Sequence, residues 1–284
     1  MIIDSHQHFW HFQSLRDAWI TEEMGVLRRD YVPADLAPVL QSKSVDATVA
    51  VQADQSEDET HFLLDLAARH PFIAGVVGWV DLRAPNLPER LQYFSRFEKL
   101  RGFRHIVQAE DDCFLLRQDF QRGIALLPTF GFTYDILIYA RQLPAAVEFV
   151  EQFPGQPFVL DHIAKPDLAT REIREWGRYM RALASNPKVM CKLSGMITEG
   201  DWHNWKAEDF APYLEIACDA FGPRRLMFGS DWPVCLLAGS YTQVRQLVED
   251  FLRGWPAADQ EAVFGGNAAR FYGLKVQHGL TAQR

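Results

Sequence analysis

Two histidines stand two residues apart near the start of the chain, in Ile3-Asp4-Ser5-His6-Gln7-His8. Alternate side chains of an extended segment project to one side, so His6 and His8 face the same way. Such a pair suits two ligands on one metal ion, or two donors to one substrate oxygen. The plain alternative is a pair of surface histidines near a terminus. A third histidine, His162, comes at the end of an apolar run in Val159-Leu160-Asp161-His162-Ile163-Ala164-Lys165-Pro166. Its neighbours Asp161 and Lys165 favour a working role over a hydrogen-bonded core histidine, and Asp161 could instead orient a neighbour. Asp231 follows Phe228-Gly229-Ser230 and precedes Trp232-Pro233. A carboxylate there, buried near histidines, could take a proton from a water molecule. Arg104 and Lys192 also follow apolar runs, where a cation is costly unless paired. Arg104 could equally hold a substrate oxygen.

These residues must be positioned by the elements that precede them. Eight short runs are almost continuously apolar: Ile2–Asp4, Ala47–Gln52, Ile73–Val80, Gly102–Val107, Thr133–Ile138, Phe158–Ile163, Val189–Leu193 and Leu226–Phe228. That pattern predicts strands buried on both faces. Amphipathic stretches lie between them, including Glu57–His70, Arg171–Ser185, Glu208–Phe221 and Tyr241–Arg253. Pro88 and Pro256 fall where a first helical turn tolerates proline, and Gly222 where a helix would end. Eight strand–helix units in one chain predict an α/β fold of the (β/α)8 TIM-barrel type, a single domain over residues 1–276 with a polar tail at Gln277–Arg284. The first strand is not followed by G-x-G-x-x-G, and Gly265-Gly266-Asn267 is not followed by a Lys-Ser/Thr pair. The latter reads as a turn between helices with Asn267 as N-cap. Catalytic groups of such a barrel belong at the C-terminal ends of the strands. There the chain places polar groups within or just after nearly every run, among them Gln52, Arg104, Asp135 near the middle of its run, Lys165 and Asp231.

Composition narrows the partners. The chain has 284 residues with 29 basic and 37 acidic side chains, a net charge of −8. Nucleic acid and anionic membrane surfaces call for a basic excess and are not expected partners. No apolar run approaches a membrane span, and the first residues lack a basic segment leading into an apolar one, so no secretory signal is expected. Cys113, Cys191, Cys218 and Cys235 are scattered, as in a cytoplasmic protein with reduced thiols. Eight tryptophans are more than the core needs. Trp10, Trp79 and Trp232 fall at strand ends, and Trp202 and Trp205 in the loop after the seventh run. Aromatic faces there could pack on the C–H faces of a sugar.

The ordered set His6-Gln7-His8, Asp161–Pro166, Cys191-Lys192-Leu193-Ser194-Gly195 and Phe228–Val234 resembles the amidohydrolase superfamily, as do Tyr134–Leu137, Arg141–Pro144 and Asn267–Tyr272. The similarity runs from Ile2 to about Leu274. It is to the branch that holds the sugar lactonases, with hydrolases of L-fuconolactone and L-rhamnonolactone, and the 2-pyrone-4,6-dicarboxylate lactonases. The resemblance implies hydrolysis of a small-molecule lactone. Asp231 would act as base and then acid. His6, His8 and His162 would hold the carbonyl oxygen, with Arg104 and Lys165 sharing its charge. Trp10, Gln52, Asp135, Lys165 and Trp232 would bind substrate. Only Arg104 and Arg141 are obvious arginines at this end, which favours a neutral sugar lactone over a dicarboxylate. Metal-dependent relatives supply a lysine or glutamate from strand four and a histidine from strand five. Here Arg104, His105, Tyr134 and Asp135 stand there, so a bridged two-metal centre is not expected. One divalent ion such as zinc could sit among His6, His8, His162 and Asp231, with no metal required for lactone hydrolysis. A rival is a zinc-dependent decarboxylase of the same superfamily acting on an aromatic or muconate acid, which chelator would abolish. A second is a non-catalytic binding barrel. No oligomeric state follows from the sequence.

Overall fold

The strands are short because each is an apolar segment closed off by polar or glycine-bearing loops. The computed structural model describes residues 1–168 and 173–276. The strands are β1 (Ile3–Gln7), β2 (Ala47–Val51), β3 (Ile73–Gly78), β4 (Leu100–His105), β5 (Thr133–Ile136), β6 (Phe158–Leu160), β7 (Val189–Leu193) and β8 (Leu226–Phe228). All pair in parallel, in sequence order. Every residue in them except Arg101 is buried. Burial on both faces is why they read as continuous apolar runs.

Each strand leads into a helix: α1 (Pro33–Ser42), α2 (Glu57–Arg69), α3 (Leu87–Phe94), α4 (Gln118–Ile124), α5 (Leu143–Glu151), α6 (Ile173–Ala184), α7 (Ala207–Phe221) and α8 (Tyr241–Leu252). Their starts follow local chemistry. Ser56 Oγ accepts from the Glu59 N–H at 3.1 Å to cap α2. Ser240 and Gln243 form a reciprocal capping box on α8. Gly222 ends α7 with φ +67°, as expected for a residue freed from Cβ strain. The result is a single (β/α)8 barrel with its main apolar core between strands and helices. Two short helices follow, α9 (Ala257–Glu261) and α10 (Asn267–Phe271). Ala268 and Tyr272 close the floor of the lumen, packing with Ile3, Val49, Met190 and Met227. No helix is long and apolar enough to cross a membrane, among the described residues.

The seam between β8 and β1 is sealed differently from the other seven. A parallel bridge joins Gln7 to Trp232. The His8 N–H donates to Trp232 O at 2.7 Å and the Asp231 N–H to His6 O at 2.8 Å. Ser5 Oγ donates to Phe228 O at 2.6 Å, and Asp4 accepts from Ser230 Oγ at 2.6 Å and Ser230 N at 2.9 Å.

Several expectations need correction. β1 continues to Gln7, so His6 lies within the strand, not after it. β6 stops at Leu160, because residues 161–164 coil into a tight turn. Asn267 is not an N-cap: it is buried in helical conformation, and its Nδ2 donates to Pro223 O at 2.7 Å and Leu226 O at 2.6 Å. Those bonds pin α10 to the start of β8. Pro256 is the N-cap of α9, just outside the helix. The expected start of α6 at Arg171 and the tail Gln277–Arg284 lie outside the described residues.

Candidate active site

Ile3 points into the lumen, whereas Asp4 points outward to the seam with β8. Regular alternation would turn His6 outward with Asp4. The pairing of β1 with β2 shifts register between Asp4 and Gln7, and this irregularity returns His6 and His8 to the inside. The turn after β6 achieves the same for His162. His162, Ile163, Ala164 and Lys165 all have left-handed backbone, with φ of 54°, 47°, 59° and 44°. For residues with a Cβ each such conformation costs about 1–2 kcal/mol, and surrounding structure must impose it. Gly195 shows how: a Cβ there would stand 2.4 Å from His162 Nδ1, so the ring packs directly on a glycine. Asp231 is left-handed as well, with φ 56°.

The side chains converge on Asp231. Its Oδ1 lies 3.3 Å from His8 Nε2, 3.8 Å from His6 Nε2 and 3.9 Å from His162 Nε2. His6 Nε2 and His8 Nε2 are 3.2 Å apart. His8 Nδ1 sits 2.7 Å from Val51 O, and a carbonyl can only accept, so His8 donates from Nδ1. His162 Nδ1 is 2.8 Å from Ser194 Oγ. Arg104 donates from Nη1 to Asp161 Oδ2 at 3.0 Å and stands 3.2 Å from His6 Nε2. Its Nη2 donates to the Gln52 carbonyl, and Gln52 Nε2 donates to Arg104 O at 3.1 Å. Below this level Lys192 Nζ donates to Asp135 Oδ2 at 2.6 Å, pairs with Asp161 Oδ1 at 2.9 Å and reaches His6 Nδ1 at 3.1 Å.

Burial governs the charges. It pushes the Asp231 carboxyl up, but His162, His8 and His6 outweigh it and hold Asp231 below the ordinary carboxylate range. Burial lowers His162 to about 4, against the pull of Asp231. It holds His6 well below its ordinary value despite Asp161, with Lys192 pushing the same way. Asp161 stays ionised because Lys192, His6 and Arg104 overcome its burial. At neutral pH the Asp231 carboxylate therefore faces neutral His6 and His162 rings, with the Arg104 guanidinium behind them.

His6, His8, His162, Asp231 and Arg104 thus meet at one point. His6 is fully buried, while the other four keep 3–4% exposure and reach the opening. Lys165 pairs with Glu199 at 3.4 Å beside them. Glu199, raised by burial and partly offset by Lys165, was not singled out from sequence, and nothing around it signals a role. A cavity of about 740 Å³ opens next to it, lined by Glu199, Trp205 and Tyr213 among others. Three expected substrate-binding residues are placed elsewhere. Asp135 has no exposure and holds Lys192 and Tyr272. Gln52 has none either and is spent on Arg104. Trp10 is packed edge-on against Trp19 and Tyr31, with its N–H on Arg29 O at 2.9 Å. Trp232 packs on the other side of Tyr31, next to Asp231 in the chain. His105 stacks on Phe114 and bonds Glu110, away from the lumen. Ser194, which orients His162, was missed as a separate role, although it stands in the Cys191–Gly195 motif.

Could the centre hold a metal? Tetrahedral zinc with bonds of about 2.0–2.1 Å keeps its ligands about 3.3 Å apart. The spacing of His6, His8 and Asp231 matches this, and two imidazoles with a carboxylate suit zinc. A second grouping, His6 with Asp161 and His162, is already matched by Lys192 and Arg104. The residues fit one ion at the first position.

A parallel barrel that gathers an H-x-H pair from strand one, a histidine from strand six and an aspartate from strand eight defines the amidohydrolase class. The chain belongs to the Amidohydrolase family, whose model matches residues 3–274. It is 48% identical to an L-fucono-1,5-lactonase of Burkholderia multivorans, with 96% of each chain covered. It is 38% identical to an L-fucono-1,5-lactonase of Burkholderia ambifaria, covering 95% of this chain and 94% of that one. A zinc-bound crystal structure of an amidohydrolase from Burkholderia multivorans superposes with a TM-score of 0.94 at 47% identity, covering 97% of this chain and all of the other.

Proposed function

We propose that this protein hydrolyses an L-sugar lactone, of the L-fucono-1,5-lactone kind, to the open aldonate. The observation that carries the reading is the Asp231 carboxylate, held ionised within 3.9 Å of three imidazoles and reaching the opening. Sequence identity of 48% and 38% with two L-fucono-1,5-lactonases over nearly the whole chain supports the substrate class. Asp231 accepts a proton from water as the water oxygen bonds to the lactone carbonyl carbon. The carbonyl oxygen becomes an oxyanion facing His6, His162 and Arg104, whose fixed dipoles and charge need no rearrangement. The bond from carbonyl carbon to ring oxygen then breaks, and Asp231 returns the proton to that oxygen. A zinc ion held by His6, His8 and Asp231 would add Lewis-acid polarisation when bound, whereas His162, also expected among its ligands, groups instead with His6 and Asp161. The proton transfers above belong to the side chains, and a lactone is already an activated ester, so we read metal as dispensable. Lys165 and Trp232 are the remaining candidates for holding sugar hydroxyls and ring. Four free cysteines, three of them buried, support placement in the cytoplasm, in sugar breakdown.

Acid release from a panel of aldonolactones, with and without chelator, tests this. Turnover of an L-fuconolactone that survives chelator is the expected result. No turnover of any aldonolactone would overturn it. Decarboxylation of an aromatic or muconate acid, lost with chelator, would replace it with the zinc-dependent alternative.

A further inference from the structure

The sequence around Glu199 is silent, but its place in the fold is not. Three successive loops at the mouth present Tyr139 after β5, Lys165 after β6 and Glu199 after β7. Lys165 Nζ stands 3.4 Å from Glu199 Oε1. It also lies 5.6 Å from the centre of the Tyr139 ring, whose face helps to hold the ammonium there. The pair borders the reacting groups. Burial acts most on Glu199 and His162, yet Asp231 adds to the rise of Glu199 and Lys165 to the lowering of His162. The Lys165 and Glu199 side chains are 16% and 19% exposed, against 3–6% for His8, His162 and Asp231, so they stand nearer the solvent in the same opening.

The loop that carries Glu199 is braced. Thr198 Oγ1 donates to Gly195 O at 3.0 Å, and Trp202 Nε1 donates to Thr198 O at 2.9 Å. Trp205 Nε1 ties the loop to Ala238 O at 2.7 Å. Two of the surplus tryptophans thus fix backbone around Glu199. The ion pair itself is loose. Lys192 meets Asp135 at 2.6 Å and Asp161 at 2.9 Å, and charge-assisted bonds run to about 2.7–2.9 Å. At 3.4 Å Lys165 and Glu199 attract each other without closing into such a bond. Neighbouring hydroxyls on a sugar ring have a similar spacing. One can donate to the carboxylate while the next accepts from the ammonium. The opposite charges cancel, so the pair offers no net attraction to an anion. Arg141 is likewise matched, by Asp112 at 3.2 Å.

We propose that Glu199 and Lys165 form the subsite for two adjacent ring hydroxyls of a neutral sugar, with Glu199 selecting hydroxylated over bare substrates. That these hydroxyls belong to a lactone rests on the lactonase reading; the subsite does not. Glu199 accepts from one hydroxyl, Lys165 donates to the next, and together they orient the ring beside Asp231.

Initial rates of the full chain on an L-fuconolactone and on δ-valerolactone, a six-membered lactone without hydroxyls, give its preference as a ratio of kcat/KM values. Glu199→Ala should cut that ratio by roughly 10–100-fold, chiefly through KM for the hydroxylated lactone. Glu199→Gln, which keeps the shape and one acceptor, should cut it several-fold. A pair kept only for structure would lower both rates together and leave the ratio level, which overturns the proposal. Calorimetric titration with L-fucose, which carries the ring hydroxyls without the lactone carbonyl, decides where a rate is too low to measure. Affinity should weaken roughly tenfold in Glu199→Ala, or several-fold in Glu199→Gln if the alanine variant does not fold. Unchanged affinity, or a parent that does not bind L-fucose, overturns the proposal. L-fucose held through Glu199 by a parent that hydrolyses no lactone would sink the functional reading and leave the subsite standing.

Discussion

At the floor of the barrel, Ile3, Val49, Met190 and Met227 meet Ala268 and Tyr272 in an apolar layer. At the mouth, the same strands end in His6, Arg104, Asp161, His162 and Asp231, and five residues there with a Cβ take left-handed backbone. One end gathers burial energy, of about 1.5–3 kcal/mol for each large side chain. The other spends it on strain and on buried charge. The comparison teaches that the mouth is shaped by chemistry and is stable only because the floor and the helix interface hold it.

Three substitutions can break or sharpen that contrast. Asp231→Asn keeps the shape and removes the base; kcat should fall about a thousandfold with the melting temperature level or raised, measured by initial rates and calorimetry. A near-normal rate would mean the mouth is not the site. Met227→Ala should do the reverse. It leaves a cavity in the floor and costs about 2–5 kcal/mol of stability in denaturant titration, with kcat unchanged.

Glu59→Gln gives the smallest effect and tests charge burial on the mouth side. Glu59 follows β2 in the first turn of α2, where burial raises its carboxyl to about 7, against a bond from the Ala53 N–H. Unfolded glutamate ionises near its ordinary 4.5, so between that value and about 7 the folded chain holds the extra proton. Stability contributed by this group therefore falls as pH rises through that window and is level above it. The glutamine variant should match the parent near pH 4 and exceed it by up to about 3 kcal/mol above pH 7. Equal stability at both ends of the range would show that the mouth does not carry this burden.

The barrel was legible because burial on two faces leaves an unmistakable apolar run, and His6, His8, His162, Arg104 and Asp231 stood out because each is a polar group within or just after such a run. What escaped was geometry that composition does not encode. The register shift in β1 has no glycine or proline to announce it. The left-handed turn at His162–Lys165 uses residues that normally avoid it, so the sequence reads as strand to Ile163. Asp135 and Gln52 looked like mouth residues by position, yet one more step of the pleat places them in the lumen as partners of Lys192 and Arg104. Tryptophan fills cores and grips sugars with the same face, which is why the surplus did not reveal that Trp10 packs on Tyr31.

The seam between β1 and β8 gives the molecule a timetable. Asp4 and Ser230, joined side chain to side chain, are 226 residues apart in the chain. A ribosome adding about 5–20 residues per second needs on the order of 10–45 seconds to make the second partner after the first. During that interval the two histidines of β1 wait without the carboxylate they serve. With Asp231 as the base proposed above, chains cut short before β8 should be inert, and the first molecule able to turn over substrate should also be the first whose last strand has docked.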